Sequence, residues 1–129
     1  MTAVILDASA VLAVALAEPG ADYVLQHMSQ THLVTVNLSE ALAKLIEYGV
    51  TPANARQQIG RLDCDIHMFD SDLAERTAIL RGLTKKYGLS LGDRACLSLC
   101  QSLNLPVLTS DQRMSDCGVS LGLDIRPIR

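Results

Sequence analysis

The sequence predicts an α/β domain whose frame is a parallel five-stranded sheet of order 3-2-1-4-5 flanked by helices. Three observations lead to that frame. Short runs rich in Val, Ile and Leu alternate with helix-like stretches along the whole chain, the rhythm of β-α units. Three of these runs are continuously apolar, as strands covered on both faces must be. Two others alternate or carry proline, which suits sheet edges.

The elements follow in order. Ala3–Leu6 (AVIL) is the first strand. Residues 8–17 and about 20–28, separated by Pro19 and Gly20, are the first two helices. Leu33–Val36 (LVTV) is the second strand. Leu38, Leu42, Leu45 and Ile46 form an apolar stripe that ends at Gly49, and Pro52 opens a short helix to about Gly60. Cys64–Phe69 alternates, with Ile66 and Met68 on one side and Asp65 and His67 on the other, so it is an edge strand. Leu73, Thr77, Leu80 and Leu83 mark a helix over 72–86 that closes near Lys85, Lys86 and Gly88, with cations where the helix dipole favours them. Leu91–Leu103 is apolar on almost every face and is predicted to be buried. Pro106–Leu108 (PVL) is the fourth strand, an interior one. Leu123–Ile128 carries Pro127 and is the other edge. How the chain returns from helix 72–86 to the sheet edge before Asp93 does not follow from these patterns.

Length and composition narrow the function. A chain of 129 residues bounds a single domain, 1–129. Hydrophobic residues at 49% exclude disorder as the main state. Aromatics at 3% and the absence of Trp leave few stacking platforms for single-stranded nucleic acid. The net charge of −3 argues against a simple polybasic binder. Neutralising four acids on a cation would leave ten against eleven bases, a balance of +1. The apolar run at 8–17 lacks a basic flank and cannot span a bilayer. Cys64, Cys96, Cys100 and Cys117 form no CxxC pair; they read as reduced, half-buried thiols, and a cytoplasmic protein with no membrane partner is expected.

Four acids stand at equivalent positions: Asp7 in ILDAS, Glu40 in NLSE, Asp93 in SLGD and Asp111 in LTSD. Each can be read as a helix cap. Asn37-x-x-Glu40 and Ser90-x-x-Asp93 fit the capping-box pattern, and Asp7 and Asp111 fit plain N-caps. Lys44 lies four residues beyond Glu40, well placed for a helix ion pair. Together, however, the acids gather on one edge. In a parallel sheet the strand ends and the starts of the following helices share that edge, and Asp7 and Asp111 flank the switch point where such sheets place ligands. At ~4 Å and an effective dielectric of 20, each like-charged pair costs on the order of 4 kcal/mol. Either some acids protonate or a hard divalent cation sits among them. All-oxygen donors favour Mg²⁺ or Mn²⁺ over zinc, and phosphoryl transfer is the matching chemistry, with one or two ions.

At these residues the chain resembles a PIN-domain ribonuclease, more narrowly a VapC-type toxin of a type II toxin–antitoxin pair. The matching segments are VILDASAVLAVALAEPGA, VNLSEALAKLIEYG, LSLGDRACLSLCQSLNLPVLTSDQ and the closing LDIRPIR, which cover most of the chain in the family's order. The resemblance implies a catalytic quartet of Asp7, Glu40, Asp93 and Asp111. It implies Mg²⁺ (or Mn²⁺) held chiefly by Asp7 and Asp93, with Glu40 and Asp111 completing the pocket directly or through water. Ser9 and Thr109 fall where small hydroxyls support that pocket, and Arg94 stands where it would steady a phosphate or form a structural ion pair. A PIN-like three-layer fold is implied too, agreeing with the strand order read from run types. So are a homodimer and a cognate antitoxin whose C-terminal segment enters the groove. Helices 8–17 and 38–49 offer candidate contact surfaces, or ordinary core.

The leading expectation is therefore a metal-dependent endoribonuclease toxin, cleaving RNA by a metal-activated water to leave a 5′-phosphate and a 3′-hydroxyl. Arg56, Arg61, Lys85, Lys86 and Arg113 are candidate phosphate contacts. Two alternatives stand beside it. One is an aspartate-nucleophile phosphatase, weakened because position 9 is Ser where a partner acid is needed. The other is a non-catalytic binding module whose acids are caps. His27, His32 and His67 lie outside every motif and are expected to be exposed or structural.

Overall fold

The computed structural model describes residues 3–129, so the first two residues of the predicted domain lie outside the described part. Five parallel strands form one sheet in the order β3-β2-β1-β4-β5. They are β1 (Val4–Leu6), β2 (Thr31–Val34), β3 (Asp65–His67), β4 (Val107–Thr109) and β5 (Ile125–Pro127). Seven helices cover the sheet: α1 (Ala8–Ala15), α2 (Ala21–Gln26), α3 (Thr35–Glu47), α4 (Pro52–Gly60), α5 (Ser71–Thr84), α6 (Leu91–Leu103) and α7 (Gln112–Leu121).

The strand alternation divides the core into two layers. Val4, Leu6, Leu33 and Leu108 face α1 to α4 and pack with Val11, Val24, Ala41, Leu45 and Ile59. Ile5, Val34 and Val107 face the other way, onto Leu73, Leu80, Leu97, Met114 and Cys117 of α5 to α7. Both faces of the central strands are therefore buried, which is why their sequences carry no polar period. The edge strands behave differently. Ile66 and Met68 are exposed on the β3 side, and Pro127 sits in β5, where one side has no strand to receive a hydrogen bond.

Three expectations are corrected. The second strand is Thr31–Val34, not Leu33–Val36, so α3 starts at Thr35 and Asn37 lies inside a helix. The shift follows from register: Val4 pairs with Thr31 and Ile5 with His32. These two polar residues are buried because they find partners, Thr31 Oγ1 donating to Cys64 Sγ at 3.2 Å and the His32 and His67 rings meeting at 2.8 Å. Second, α7 has no counterpart among the predicted helices. It seats closely on β5, where a Cβ at Gly118 would overlap the Ile125 side chain. Third, Cys96, Cys100 and Cys117 are fully buried rather than half-buried, and only Cys64 is intermediate.

The open stretch before Asp93 is an antiparallel hairpin. The start of α5 (Asp72, Leu73) lines one recess with the end of α6 (Leu99, Ser102, Leu103). Midway, Thr77 Oγ1 and Ser98 Oγ lie 3.0 Å apart, and Arg94 Nη1 donates to the Thr77 carbonyl at 3.3 Å. α5 thus carries the chain back along α6, and a 3₁₀ turn (Lys85–Tyr87) with left-handed Gly88 reverses it into α6. Among the described residues no helix is long and apolar enough to cross a membrane.

Candidate active site

Asp7 follows β1 and caps α1, its Oδ1 accepting from the Ala10 amide at 2.9 Å. Two hydroxyls hold the same carboxylate. Ser9 Oγ donates to Oδ1 at 2.6 Å and Thr109 Oγ1 to Oδ2 at 2.5 Å. Those hydroxyls in turn accept from the Ser110 and Asp111 amides at 2.9 and 3.0 Å. The ends of β1 and β4 are thereby tied together through one carboxylate. Asp7 is only 4% exposed. Burial raises its pKa from 3.8 to about 6; hydrogen bonds from Ser9, Thr109 and Ala10 oppose this, and the Asp93 charge adds to it. The desolvation wins because hydroxyl donors do not replace the lost water around a full charge.

Glu40 projects from α3 toward α6. Asn37 Nδ2 donates to Glu40 Oε1 at 2.9 Å and to the Gly92 carbonyl at 3.1 Å. The approach is close enough that a Cβ at Gly92 would stand 2.6 Å from Glu40 Oε2. Asn37 is therefore not an N-cap; Val34 holds that position without a side-chain bond. Nor does Lys44 pair with Glu40, because it pairs with Glu47 at 3.7 Å.

Asp93 does form the capping box, its Oδ2 accepting from the Ser90 amide at 2.9 Å while Ser90 Oγ accepts from the Asp93 amide at 3.2 Å. Asp111 caps α7 and is held in a fork by Arg113, with Nη2 to Oδ2 at 2.9 Å and Nε to Oδ1 at 3.3 Å. That guanidinium keeps the Asp111 carboxyl below its ordinary range, and Arg113 Nη1 also donates to the Gly88 carbonyl at 3.1 Å.

The four acids share one end of the sheet. Cys96 registers this: burial lifts its thiol first, and the charges of Asp7, Asp93 and Glu40 lift it further. Arg113 feels both Asp111 and Asp93. Among the described residues, however, no three His, Cys, Asp or Glu side chains are close enough to form a metal-holding group. Three of the acids are turned onto helix amides and Asp111 also onto Arg113.

Residues 4–119 match the PIN domain family. The chain belongs to that family. Among solved structures, the fold of this PIN domain is similar to a toxin-antitoxin complex from Klebsiella pneumoniae (20% identity, 84% of this chain and 87% of that one, TM-score 0.67). It is also similar to VapBC2 from Rickettsia felis bound to a DNA fragment from their promoter (11% identity, 98% of both chains, TM-score 0.74). A third is FitAcB from Neisseria gonorrhoeae (16% identity, 97% of both chains, TM-score 0.67). No curated protein matches the sequence.

In this PIN domain the remaining sequence candidates divide. Arg94 braces α5 through the Thr77 carbonyl, and its buried Nε has no partner. Arg113, considered only as a phosphate contact, is the counter-ion of Asp111. Asn37 and Gly92 were not singled out as functional residues, because what joins them is a contact between segments 55 residues apart. The donor set fits a hard divalent cation: every candidate ligand is a carboxylate oxygen, and among the described residues the buried Asp7 carboxylate has no cationic partner within ion-pair distance.

Proposed function

We propose that this PIN domain is a Mg²⁺- or Mn²⁺-dependent endoribonuclease that acts as the toxin of a type II toxin–antitoxin pair in the cytoplasm. The observation carrying this reading is Asp7, a carboxylate only 4% exposed at the end of β1 and, among the described residues, paired with no Lys, Arg or His. Keeping that charge out of water is costly, and a hard cation there would offset the cost. Asp7 and Asp93 would hold the cation, with Glu40 and Asp111 completing the set directly or through water. When bound, the cation neutralises phosphate charge and acidifies a water for attack on phosphorus.

The chain's own side chains do the rest. Ser9 and Thr109 hold both oxygens of Asp7, so its orientation is set before a cation binds. The Asp93 cap occupies one carboxylate oxygen. Arg113 holds Asp111 in a fork, and its guanidinium stands beside that acid where it could serve as a phosphate ligand. The similarity to a chain solved as a toxin–antitoxin complex supports an antitoxin partner, and a homodimer belongs to the same proposal. α3 supplies one candidate surface: Ala41 and Leu45 are core, whereas Ile46 and the C-capping Tyr48 are exposed.

RNA incubated with purified protein and Mg²⁺ should be cut to 5′-phosphate ends, and EDTA or Asp7→Asn should stop the cutting. Cleavage that persists under both treatments refutes the metal mechanism. The second reading, a binding module with capping acids, is favoured by the three caps seen at Asp7, Asp93 and Asp111. It predicts no saturable Mn²⁺ binding. The phosphatase alternative gains nothing, since Ser9 is spent as a donor to Asp7.

A further inference from the structure

We propose that Asn37 is a positioning residue of the site, clamping Glu40 to the first turn of α6 and so setting its spacing from Asp93. The inference rests on the reading of the acids as one nuclease site and adds a residue to it. Asn37 is 1% exposed, and both protons of its amide nitrogen are spent at the site: one contact is Glu40 Oε1 at 2.9 Å, the other the Gly92 carbonyl at 3.1 Å. Gly92 precedes Asp93 directly, so a single amide joins one candidate acid to the backbone of another.

Two further observations separate this role from ordinary packing. The Asn37 carbonyl oxygen is buried without any partner. An unpaired buried acceptor costs stability, and an apolar side chain would fill the position without that loss. What the asparagine offers in exchange is its donor, and the donor serves only Glu40 and Gly92. The amide orientation follows from the same contacts, because exchanging O and N would set an oxygen against two acceptors. In addition, Gly92 leaves the room that Glu40 occupies: a Cβ there would stand 2.6 Å from both the Glu40 Cδ and Oε2. Asn37, Glu40 and Gly92 form one joint between α3 and α6, built so that a carboxylate approaches a helix start that already carries Asp93. Glu40 is itself an exposed residue, so the Asn37 bond is what fixes its carboxylate against α6.

The test is a double-mutant cycle read by Mn²⁺ calorimetry and RNA cleavage on the full chain. Asn37→Leu, which keeps the size and removes the donor without adding a charge, should weaken Mn²⁺ binding at least five-fold and lower kcat at least ten-fold with KM for RNA within two-fold. In a Glu40→Ala background the same substitution should change Mn²⁺ affinity less than two-fold. An equal loss in both backgrounds, or no loss in either, overturns the proposal. A second measurement holds even where a variant folds poorly. The Asn37 side-chain amide of the wild-type chain should give a slowly exchanging NMR pair that shifts when Glu40 is replaced by Ala. An unmoved, fast-exchanging pair overturns the clamp. Wild-type protein that cleaves no RNA counts against the nuclease reading alone, because the amide signal still decides the Asn37–Glu40 contact.

Discussion

At the scale of single residues, burial and hydrogen bonding pull the Asp7 carboxyl in opposite directions and burial prevails, leaving it at about 6. The sign of the linkage follows. The folded pKa exceeds the unfolded one, so the stability Asp7 contributes is complete below 3.8 and is lost as pH rises through about 6. That difference is worth ~3 kcal/mol at pH 7.5 without metal. Asp7→Asn keeps acceptors for Ala10 and Ser9, so it should raise the thermal midpoint at pH 7.5, leave it nearly unchanged at pH 4, and abolish cleavage. A lowered midpoint at pH 7.5 would show that the carboxylate is not the strained group described here. Arg113 supplies a contrasting case. Its fork on Asp111 competes with any cation for that acid, and Arg113→Ala should tighten Mn²⁺ binding several-fold by calorimetry while weakening RNA binding. Weaker Mn²⁺ binding would instead make the guanidinium a support of the site.

At the scale of elements, α6 is where packing and site meet. Its capping box fixes Asp93, its second residue is the glycine that admits Glu40, and its body is buried from Ala95 to Cys100. Gly92→Ala should gain a few tenths to ~1 kcal/mol of helix propensity yet expel Glu40. The expected outcome is a folded protein with an unchanged circular dichroism spectrum and Mn²⁺ affinity reduced at least five-fold; wild-type affinity would mean that Glu40 has no fixed place. The element level also shows what the sequence could carry. Strand order was legible because burial on two faces, one face or an edge leaves different residue periods, and AVIL, LVTV, PVL and Pro127 record them directly. The start of β2 differs from the sequence reading because Thr31 and His32 are buried by side-chain partners across the sheet, which no local period encodes. α7 was missed because QRMSDCGVSL is polar and contains glycine. Its stripe of Met114, Cys117, Gly118 and Leu121 at helical spacing was the available signal. Asp7, Asp93 and Asp111 are legible because they punctuate strand and helix ends, whereas Glu40 lies within α3. The joint of Asn37 with Gly92 is not legible, since it exists only in a contact between distant segments.

At the scale of the whole molecule, two titrations oppose each other. His32 is buried against His67, and burial first, then the His67 ring, lowers its pKa from 6.5, with the Asp65 charge opposing. A base with a lowered folded pKa favours the folded state above 6.5, and that contribution is lost as pH falls. Asp7 works in the reverse sense across the same range. Acidification from pH 7 to 5 should therefore cost Asp7→Asn more stability than it costs the wild type, because only the His32 effect remains in the variant. Thermal unfolding at both pH values checks this, and parallel curves for the two proteins would contradict it. A bound cation links to both chemistry and stability. If it binds only the folded chain, as proposed for Asp7 and Asp93, millimolar Mg²⁺ should raise the wild-type midpoint. The most direct measurement is a calorimetric titration of the wild-type protein with Mn²⁺ at pH 7.5, repeated with Asp7→Asn. Acids converging on one site predict saturable binding at one or two ions per chain that Asp7→Asn eliminates. No saturable heat from the wild type, or the same isotherm from both proteins, would contradict it.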